Sequence, residues 1–420
     1  MKQRNEINAD TSFASAFALP CHIQEILSRF DAAGYEAFCV GGCVRDALRG
    51  VPPHDWDLCT SALPDQTAAL FSDKTCLDIG IKHGTVTVMW DGDPVEITTY
   101  RTEGAYIGHR TPSSVAFTPS LREDCLRRDF TVNALAYHPT KGLQDFFGGV
   151  DDLRAGILRC VGDPYARFDE DALRILRALR FSSVLDFDIA PETADAVHSL
   201  AHLLTEISGE RIVSEFRRML TGFRAHQLLS DYADVVAVFY PPLIGCAGQK
   251  PALSNAFSLC LTAETRLAAA FCLCGCTDET AVRQTLSRLS TERIFIDRVT
   301  SLVTLAAVPP PVTRPQMRQA LSVQTAAHIH SQLTLHAALF PADTESCKIA
   351  ETLCDSIVSA EDVTRIAQLA VNGRDLADLE FRGRAIGDTL QKLLDAVIDD
   401  RTENTRDALL TLAKTMQSDL

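Results

Sequence analysis

The sequence predicts an α+β protein whose strands are confined to the first third of the chain. Runs of alternating β-branched residues occur only before about residue 163, and beyond it apolar residues recur at helical spacing almost to the end. The chain has 420 residues, of which 46% are apolar and 23% charged. This is ordinary globular composition, and the length suffices for about two or three folding units.

The first third is predicted to alternate helices with short strands around two turns. A Gly-Gly turn at Gly41 and Gly42 follows the first strand, and an Asp-Gly turn at Asp91 and Gly92 joins the last two strands as a hairpin. The predicted helices cover residues 23–30 and 44–48, and the predicted strands cover residues 37–40, 55–59, 84–90 and 94–100.

Prolines are predicted to divide the helical remainder. Pro241 with Pro242, and the proline cluster of residues 309–315, lack the N–H groups that a helix interior needs. No run of about 18 uncharged apolar residues exists, so a membrane span is not expected. The N-terminus offers only a short apolar stretch preceded by acidic residues, so we expect a cytoplasmic protein.

The fourteen cysteines are predicted to be reduced thiols. They are spread over the chain without the spacing of a disulfide framework, and most have apolar neighbours. Cys272, Cys274 and Cys276 alternate within one apolar segment, but no CxxC pair or flanking histidine completes a zinc set. We therefore expect a core helix here and no metal.

The charge balance excludes one broad class of function. Forty basic against 55 acidic residues give a net charge of −15, which opposes a general, non-specific coat of nucleic acid and leaves room only for a local basic track. Only eight of the basic residues are lysine. An excess of arginine favours planar, bidentate recognition.

The segment VGGCVRDALRGVPPHDWDL carries the sharpest chemical signal. Asp55 and Asp57 stand two residues apart, and on a strand that spacing points both carboxylates to one face, where they could hold divalent cations. The preceding glycines let backbone N–H groups approach a triphosphate. The combination suits nucleotidyl transfer, in which metals activate a hydroxyl and neutralise pyrophosphate. Solvated acids at a strand end are the alternative, and Glu96 could add a third carboxylate or face outward.

The segment LRRDFTVNALAYH, residues 126–138, places polar side chains in an apolar stretch. Arginine and asparagine here could bind triphosphate oxygens and ribose hydroxyls. The alternative is an ion pair that caps a buried helix, which would account for one arginine only. The candidate residues are Arg127, Arg128, Asp129 and Asn133.

The segment RFDEDALRILRALRF, residues 167–181, predicts a helix with an apolar face beside a cationic one. Asp171, Arg174, Arg177 and Arg180 step by three along it. Cytosine and adenine present a ring-nitrogen acceptor beside a donor amine, whereas guanine and uracil present a ring N–H beside a carbonyl. A carboxylate next to a guanidinium would therefore suit C and A and oppose G and U. A salt-bridged amphipathic helix is the alternative.

Together, these residues resemble the bacterial class II tRNA nucleotidyltransferases, the CCA-adding enzymes of the polymerase-β-like superfamily. Four segments occur in the order of that family: GGCVRD with DWD, RRDFTVNAL, DEDALRILRALRF and ISGERIVSEFRRML. Residues 95–117 resemble the metal-proximal strand and flexible loop of the family, and residues 371–397 resemble its tRNA-contacting tail. The resemblance covers residues 35–220 and 371–415.

The resemblance implies a polymerase-β-like nucleotidyltransferase head with a mixed β-sheet, followed by an all-helical neck, body and tail. The implied segments are residues 1–155, 156–220, 221–330 and 331–420. The implied reaction is attack of the tRNA 3′-hydroxyl on the α-phosphate of CTP, twice, and then of ATP, with Mg²⁺ and without a nucleic-acid template. The implied partners are nucleoside triphosphates and the tRNA acceptor arm and 3′ end, whereas DNA and membranes are not expected.

The resemblance also assigns roles to single residues. Asp55 and Asp57 would be catalytic and bind Mg²⁺, and Asp171 with Arg174 would read the base. The remaining residues implied to hold or brace the nucleotide are Gly41, Gly42, Arg45, Arg128, Asp129, Asn133, Arg177 and Arg180, with Arg211 and Glu215 bracing the nucleotide-reading helix.

Several rival functions stay open. Bacterial poly(A) polymerases share the head but carry a basic strand after the metal site, where this chain reads DIGIKHGTVTVMW. The loop at residues 101–117 argues against an enzyme that adds only CC. Its sequence at residues 108–111 departs from that of the family, so an enzyme that adds only A stays an alternative to full CCA addition. The sequence contains no second His-Asp pair of the kind that phosphohydrolases use, so phosphohydrolase activity is not expected. A catalytically dead RNA-binding module would lack Asp55 or Asp57, and both are present.

Overall fold

The computed structural model describes residues 19–80, 84–104, 106–107, 111–112, 115–289 and 291–418. The chain forms two units, Met1–Pro241 and Pro242–Leu420, which we call unit 1 and unit 2. The division falls at the proline pair that was predicted to interrupt the helical part. The finer division into head, neck, body and tail stays a prediction.

A seven-stranded mixed sheet forms the centre of unit 1. The strands of the described residues are β1 Ala37–Val40, β2 Leu58–Thr60, β3 Thr75–Gly80, β4 Thr85–Trp90, β5 Asp93–Thr99, β6 Arg101–Glu103, β7 Tyr106–Ile107, β8 Thr111–Pro112, β9 Val115–Phe117, β10 Leu135–His138, β11 Gly142–Asp145, β12 Ile157–Leu158 and β13 Asp188–Ile189. The sheet order is β11-β10-β1-β2-β5-β4-β3, in which only β2 and β5 are parallel. Strands β1 and β10 are buried along their whole length, so the sheet is covered on both faces there.

Helices surround this sheet and continue beyond it in unit 1. They are α1 Cys21–Ala32, α2 Gly42–Leu48, α3 Pro64–Leu70, α4 Leu121–Leu126, α5 Gly149–Ala155, α6 Pro164–Glu170, α7 Leu173–Leu185, α8 Pro191–Ser199, α9 Gly209–Thr221, α10 Ala225–Asp231 and α11 Ala233–Ala237. Helix α9 packs along α7, the helix that carries three of the candidate arginines. The mixed sheet followed by helices is the predicted α+β architecture with a polymerase-β-like head.

The predicted Asp-Gly hairpin is confirmed. Strands β4 and β5 pair antiparallel across a two-residue turn, in which Asp91 and Gly92 have φ values of 51° and 103°. Positive φ at both positions is the type I′ geometry, which favours Asp-Gly. The strand predicted at residues 37–40 is β1, and the helices predicted at residues 23–30 and 44–48 lie within α1 and α2.

Two differences from the sequence prediction concern short strands. Strand β13 lies beyond residue 163, where only helices were expected, and it pairs in parallel with β12. Each of these strands has two residues, too few for an alternating pattern to reveal them. The predicted flexible loop at residues 101–117 contains the β6·β9 and β7·β8 pairs, and residues 105, 108–110 and 113–114 lie outside the described residues.

Every regular element in the described part of unit 2 is a helix. The α-helices are α12 Lys250–Leu259, α13 Ala263–Leu273, α14 Glu279–Ser287, α15 Arg293–Leu305, α16 Arg314–Val323, α17 Ala326–Leu339, α18 Thr344–Ser359, α19 Gly373–Asp378, α20 Arg384–Ile398 and α21 Arg406–Ser418. The proline cluster of residues 309–315 separates α15 from α16, as predicted, and Pro315 sits in the first turn of α16. Among the described helices, none could span a bilayer, because each is too short or too polar.

The cysteines form no disulfide in the structure. Nine of the fourteen are buried, in agreement with the prediction that most of them pack among apolar neighbours. The predicted core helix at residues 272–276 is shorter than expected. Helix α13 ends at Leu273, and Gly275 turns the chain with a φ of 73°, so Cys274 and Cys276 follow the helix.

Candidate active site

The two candidate metal ligands lie just before a strand rather than on one. We predicted a strand over residues 55–59, but β2 begins one residue after Asp57. Two prolines upstream cannot donate hydrogen bonds to a neighbouring strand, and the chain bends at Asp55. Pairing with β1 starts only where the Val40 N–H donates to the Asp57 carbonyl at 2.9 Å.

Negative charge accumulates around these two exposed carboxylates. The register of β2 beside β5 pairs Leu58 with Ile97, which places Glu96 next to Asp57. Desolvation by the surrounding protein, with the charges of Asp55 and Glu96, raises the pKa of Asp57 to about 6. In the part of the chain that the structure describes, no three His, Cys, Asp or Glu side chains are close enough to form a metal site by themselves. Glu96 adds negative charge beside Asp57, and its role as a third ligand stays a prediction.

The Gly-Gly turn brings the backbone close to an arginine. Gly41 has a φ of 81°, which favours glycine, and a Cβ atom there would lie 3.4 Å from Nη1 of Arg128. Arg45, on α2, donates from Nη1 to Oδ1 of Asn133 at 2.6 Å and from Nε and Nη2 to the Asp46 carboxylate at 2.9 Å. The turn, Arg45 and Asn133 thus form one wall of the site.

Asp129 is buried and connects two other candidate residues, Arg177 and Asn133. Its Oδ2 accepts from Nε and Nη2 of Arg177 at 2.8 and 2.5 Å, and its Oδ1 accepts from the Phe130 N–H at 2.8 Å and Nδ2 of Asn133 at 3.0 Å. Burial alone would raise the pKa of Asp129, but Arg177 and these hydrogen bonds lower it to about 2. Arg177 lies 48 residues away along the chain, so the pair is not a local helix cap.

Arg127 and Arg128 share a different carboxylate. Asp124, on α4, is fully buried and lies 2.8 Å from Nη2 of Arg127 and 3.2 Å from Nη2 of Arg128. Burial would raise the pKa of Asp124, but the two guanidiniums outweigh it, and the pKa falls below its usual value. Asp124 therefore stays ionised and fixes Arg128 beside the Gly-Gly turn.

Asp171 lies between two helices, although the sequence predicted one helix over residues 167–181. Helix α6 ends at Glu170, Asp171 has an extended backbone, and α7 begins at Leu173. Oδ1 of Asp171 accepts from the Leu173 N–H at 3.2 Å, because an aspartate before a helix can cap its free N–H groups. Oδ2 lies 3.4 Å from Nη2 of Arg211, the bracing contact that the resemblance implied.

The three arginines of the predicted row lie on α7, and each is held by a carboxylate. Arg174 donates to Oε2 of Glu170 at 2.8 Å, and Nε of Arg180 lies 2.5 Å from Oε2 of Glu215. Arg177 is held by Asp129, as described above. Sequence reasoning missed Glu170, although its spacing of four residues from Arg174 is a recognised ion-pair signal.

Most of the candidate residues line one cavity of about 510 Å³, whereas Glu96, Arg127, Arg211 and Glu215 are not among its lining residues. Its walls come from the Gly-Gly turn and α2, the segment before β2, the segment after α4, and α7 with Asp171 from the link between α6 and α7. The lining residues are Gly41, Gly42, Arg45, Asp55, Asp57, Arg128, Asp129, Asn133, Asp171, Arg174, Arg177, Arg180 and Phe181.

Phe181 is the lining residue that sequence reasoning missed. The guanidinium carbons of Arg45, Arg177 and Arg180 lie 5.4, 5.2 and 3.8 Å from the centre of its ring, within the range of cation–π contacts. The ring is buried and packs edge-on against Phe130 at 5.7 Å. An apolar residue at helical spacing reads as core, so no sequence signal separated Phe181 from the leucines of α7.

Comparison with known families and proteins gives this cavity a context. Residues 37–159 match the poly A polymerase head domain, residues 186–233 match an RNA and SrmB binding site described for polymerase A, and residues 259–413 match the tRNA nucleotidyltransferase domain 2. The CCA-adding enzyme of Lacticaseibacillus paracasei is 38% identical over 397 residues, which cover 94% of this chain and 96% of that protein. The chain belongs to the CCA-adding enzymes.

Other CCA-adding enzymes support the same assignment. The protein from Enterococcus faecalis is 34% identical over 399 residues, covering 94% of this chain and 95% of that protein. The crystal structure of the Bacillus stearothermophilus CCA-adding enzyme in complex with CTP has a TM-score of 0.80 and 32% identity, covering 94% of this chain and 97% of that one. The class II tRNA nucleotidyltransferase resemblance, the fold and the enzyme class predicted from the sequence are therefore confirmed.

Proposed function

We propose that this chain adds C, C and A to the 3′ end of tRNA, with CTP and ATP as substrates, in the cavity described above. The observation that carries the proposal is the meeting of an acidic pair, a Gly-Gly turn and a cluster of arginines in that cavity. These are the groups that transfer of a nucleotide from a triphosphate needs. Relatives that match 94% of the chain are CCA-adding enzymes, which supports CCA addition over polyadenylation.

Asp55 and Asp57 are the proposed Mg²⁺ ligands. Desolvation raises the pKa of Asp57 most, and the negative charges of Asp55 and Glu96 raise it further. Oxygen ligands of this kind fit a hard divalent cation. When bound, the ion would lower the pKa of the attacking tRNA hydroxyl and neutralise the leaving pyrophosphate.

The arginines are proposed to bind the triphosphate and are held in place before it arrives. Arg45, Arg177 and Arg180 each have a carboxylate partner and share the Phe181 ring. Held side chains lose little conformational entropy on binding and present fixed positive charge to the phosphates. Arg128 beside the Gly-Gly turn would add a further donor where the backbone approaches the triphosphate closely.

Asp171 and Arg174 are the proposed readers of the base. A carboxylate accepts from the amine of cytosine or adenine, and a guanidinium donates to the ring nitrogen, whereas uracil and guanine oppose both contacts. Arg211 on Asp171 and Glu170 on Arg174 fix the two side chains. Asp171→Asn keeps an acceptor for the Leu173 N–H and removes the charge, so it should raise UTP misincorporation without loss of the fold.

We also propose that the protein acts in the cytoplasm, where its substrates and a reducing environment occur together. The absence of disulfides among its fourteen cysteines supports this location. The tRNA acceptor arm is proposed to contact the helical tail around residues 371–397, which lies in α19 and α20.

Primer extension on two tRNA transcripts tests the proposed function. One transcript ends at the discriminator base and the other in CC, and each is given Mg²⁺ with CTP, ATP or both. We expect three added nucleotides on the first transcript when both nucleotides are present. Addition of two would indicate a CC-adding enzyme, addition to the second transcript alone an A-adding enzyme, and long A tails a poly(A) polymerase.

A double variant identifies the proposed metal ligands and tests the binding-module alternative. Asp55→Ala with Asp57→Ala should abolish addition, whereas Asp65→Ala, which removes an exposed carboxylate from α3 of the same unit, should leave it unchanged. Activity in the double variant would reject both residues as ligands. No extension by the unaltered protein on any transcript would instead favour a non-catalytic RNA-binding module.

A further inference from the structure

Two cysteines of unit 2 are in contact with each other. In the sequence, both lie well beyond the residues that line the proposed nucleotide cavity. Cys246 ends the short 3₁₀ segment Pro241–Cys246, and Cys274 follows α13 directly. Their Sγ atoms are 3.2 Å apart, and 28 residues separate them in sequence. Neither residue takes part in the proposed mechanism.

Packing holds the two segments together around this pair. A Cβ atom on Gly245 would lie only 3.1 Å from Cβ of Cys274, so glycine permits the close approach. Nε2 of Gln249 donates to the carbonyls of Gly245 at 2.6 Å and Leu273 at 3.3 Å, and so bridges the residues that precede both cysteines. The backbone itself therefore positions the sulfur atoms.

The two thiols differ in a way that assigns each a chemical role. Cys274 is half-buried, so a small oxidant can reach it, whereas Cys246 is fully buried. The contact between the two thiols lowers the pKa of Cys274 against the effect of burial and raises the pKa of Cys246. Among the described residues, no further His, Cys, Asp or Glu completes a metal set with them.

We propose that Cys246 and Cys274 are a redox modification site that closes to a reversible disulfide on exposure to a peroxide. The Cys274 thiolate attacks one peroxide oxygen, the O–O bond breaks, and Cys274 becomes a sulfenic acid while hydroxide leaves and takes a proton. The Cys246 thiol then attacks that sulfur, forms the S–S bond and releases water. Two thiols are oxidised, one peroxide is reduced to two waters, and a dithiol reductant reverses the change.

The disulfide would join the first segment of unit 2 to the C-terminal end of α13. Closing a loop of this length restricts the unfolded chain, so we expect oxidation to raise the melting temperature by about 5 °C. In a reducing compartment such a bond forms only transiently under oxidant, as is typical of redox-sensitive pairs.

Oxidation of the full-length protein tests the site. The protein is treated with hydrogen peroxide, the remaining thiols are alkylated, and peptides are mapped by mass spectrometry with and without dithiothreitol. We expect loss of two thiols and a cross-link between Cys246 and Cys274 that dithiothreitol removes. Sulfinic acid at Cys274 without a cross-link, a cross-link between other cysteines, or no thiol loss would overturn the proposal.

Neighbouring cysteines supply matched controls. Cys246→Ser and Cys274→Ser should each abolish the cross-link and the rise in melting temperature. Cys272→Ser and Cys276→Ser alter half-buried thiols of the same segment and should preserve both. An oxidised Cys272→Ser protein without the cross-link would show that the reactive thiol had been assigned wrongly.

Discussion

The proposed nucleotide cavity of unit 1 and the core of the C-terminal helices in unit 2 are built by opposite means. In the cavity, guanidiniums and carboxylates are withdrawn from water in pairs, such as Arg177 with Asp129 and Arg180 with Glu215. The second region, which we call the tail core, is a cluster of apolar side chains: Leu369, Val371, Leu376, Phe381, Leu393, Leu394, Val397, Ile398, Leu409 and Ala413.

This difference determines how each region responds to change. A buried ion pair depends on both partners, since loss of one leaves the other charged and poorly solvated. An apolar core loses only the transfer and packing energy of the atoms removed. We therefore expect substitutions in the cavity to affect stability and nucleotide binding together, and those in the tail core to affect stability alone.

The largest expected effect follows removal of the Asp129 carboxylate. Asp129→Ala leaves the Arg177 guanidinium and the Asn133 amide without their shared partner, and should lower the free energy of unfolding of unit 1 by about 4 kcal/mol. Both tryptophans of the sequence, Trp56 and Trp90, lie in unit 1. Urea unfolding followed by tryptophan fluorescence therefore measures the change in this unit.

An exposed ion pair of the same unit supplies the control for this variant. Asp151 on α5 pairs with Arg154 at 3.3 Å, and its side chain is 87% exposed. Asp151→Ala should change the same transition by less than about 1 kcal/mol. If Asp129→Ala changed stability as little as this control does, paired burial would not be what holds the cavity together.

The next effect belongs to the tail core. Leu393 on α20 is fully buried, and Leu393→Ala should lower the free energy of unfolding of unit 2 by about 3 kcal/mol, because a cavity replaces packed atoms. Far-UV circular dichroism reports the helices of both units, so the part of its transition that tryptophan fluorescence does not follow belongs to unit 2, while the KM for CTP should stay unchanged. Lys392→Ala, on the exposed side of the same helix, is the control. An equal shift of the tryptophan transition would mean that both units unfold as one.

A smaller effect is expected from pH, again through Asp129. Its pKa is about 2 in the folded protein and 3.8 ordinarily, so the carboxylate contributes stability above pH 4 that is lost as pH falls towards 2. The contribution is about 2 kcal/mol. Comparison with Asp129→Asn isolates it, because other carboxylates titrate in both proteins. The stability difference between the two proteins should shrink over this interval, and a constant difference would contradict the assignment.

The comparison also explains what the sequence could reveal. Local signals sufficed for the β1 strand, the Asp91-Gly92 hairpin and most of the polar residues that line the cavity, because each rests on a short pattern, whereas Arg45 was identified only through the family resemblance. The partners of those residues could not be found this way. Asp129 pairs with an arginine 48 residues away, and only the packing of α7 against the head brings them together.

Two local errors have a common origin in competition for backbone hydrogen bonds. The strand predicted over residues 55–59 begins late because prolines upstream cannot join a ladder, and the helix predicted over residues 167–181 breaks where Asp171 caps α7. In both places a side chain with a proposed functional role lies just outside a regular element. A prediction from periodicity alone extends the strand or helix across such residues, because the hydrophobic pattern reports which side chains are buried and not which backbone hydrogen bonds form.

The smallest expected effect concerns Phe181, and it tests whether the ring positions the arginines or only packs in the core. Phe181 lies inside the charged cavity, yet it is apolar, so it combines features of both regions. Because three guanidiniums surround its ring, Phe181→Leu should raise the KM for CTP and ATP about tenfold with a smaller change in kcat. Phe181→Tyr, which keeps a ring, should restore most of the affinity.

A second buried phenylalanine of unit 1 makes the measurement decisive. Phe216 on α9 packs against the rings of Phe239 and Tyr240, and Phe216→Leu loses the same atoms from a hydrophobic setting. Both leucine variants should lower the melting temperature, but only Phe181→Leu should change KM. If Phe181→Leu and Phe216→Leu had the same KM and the same kcat, Phe181 would be an ordinary packing residue, like those of the tail core. A KM change confined to Phe181→Leu would instead assign its ring to the positioning of the arginines.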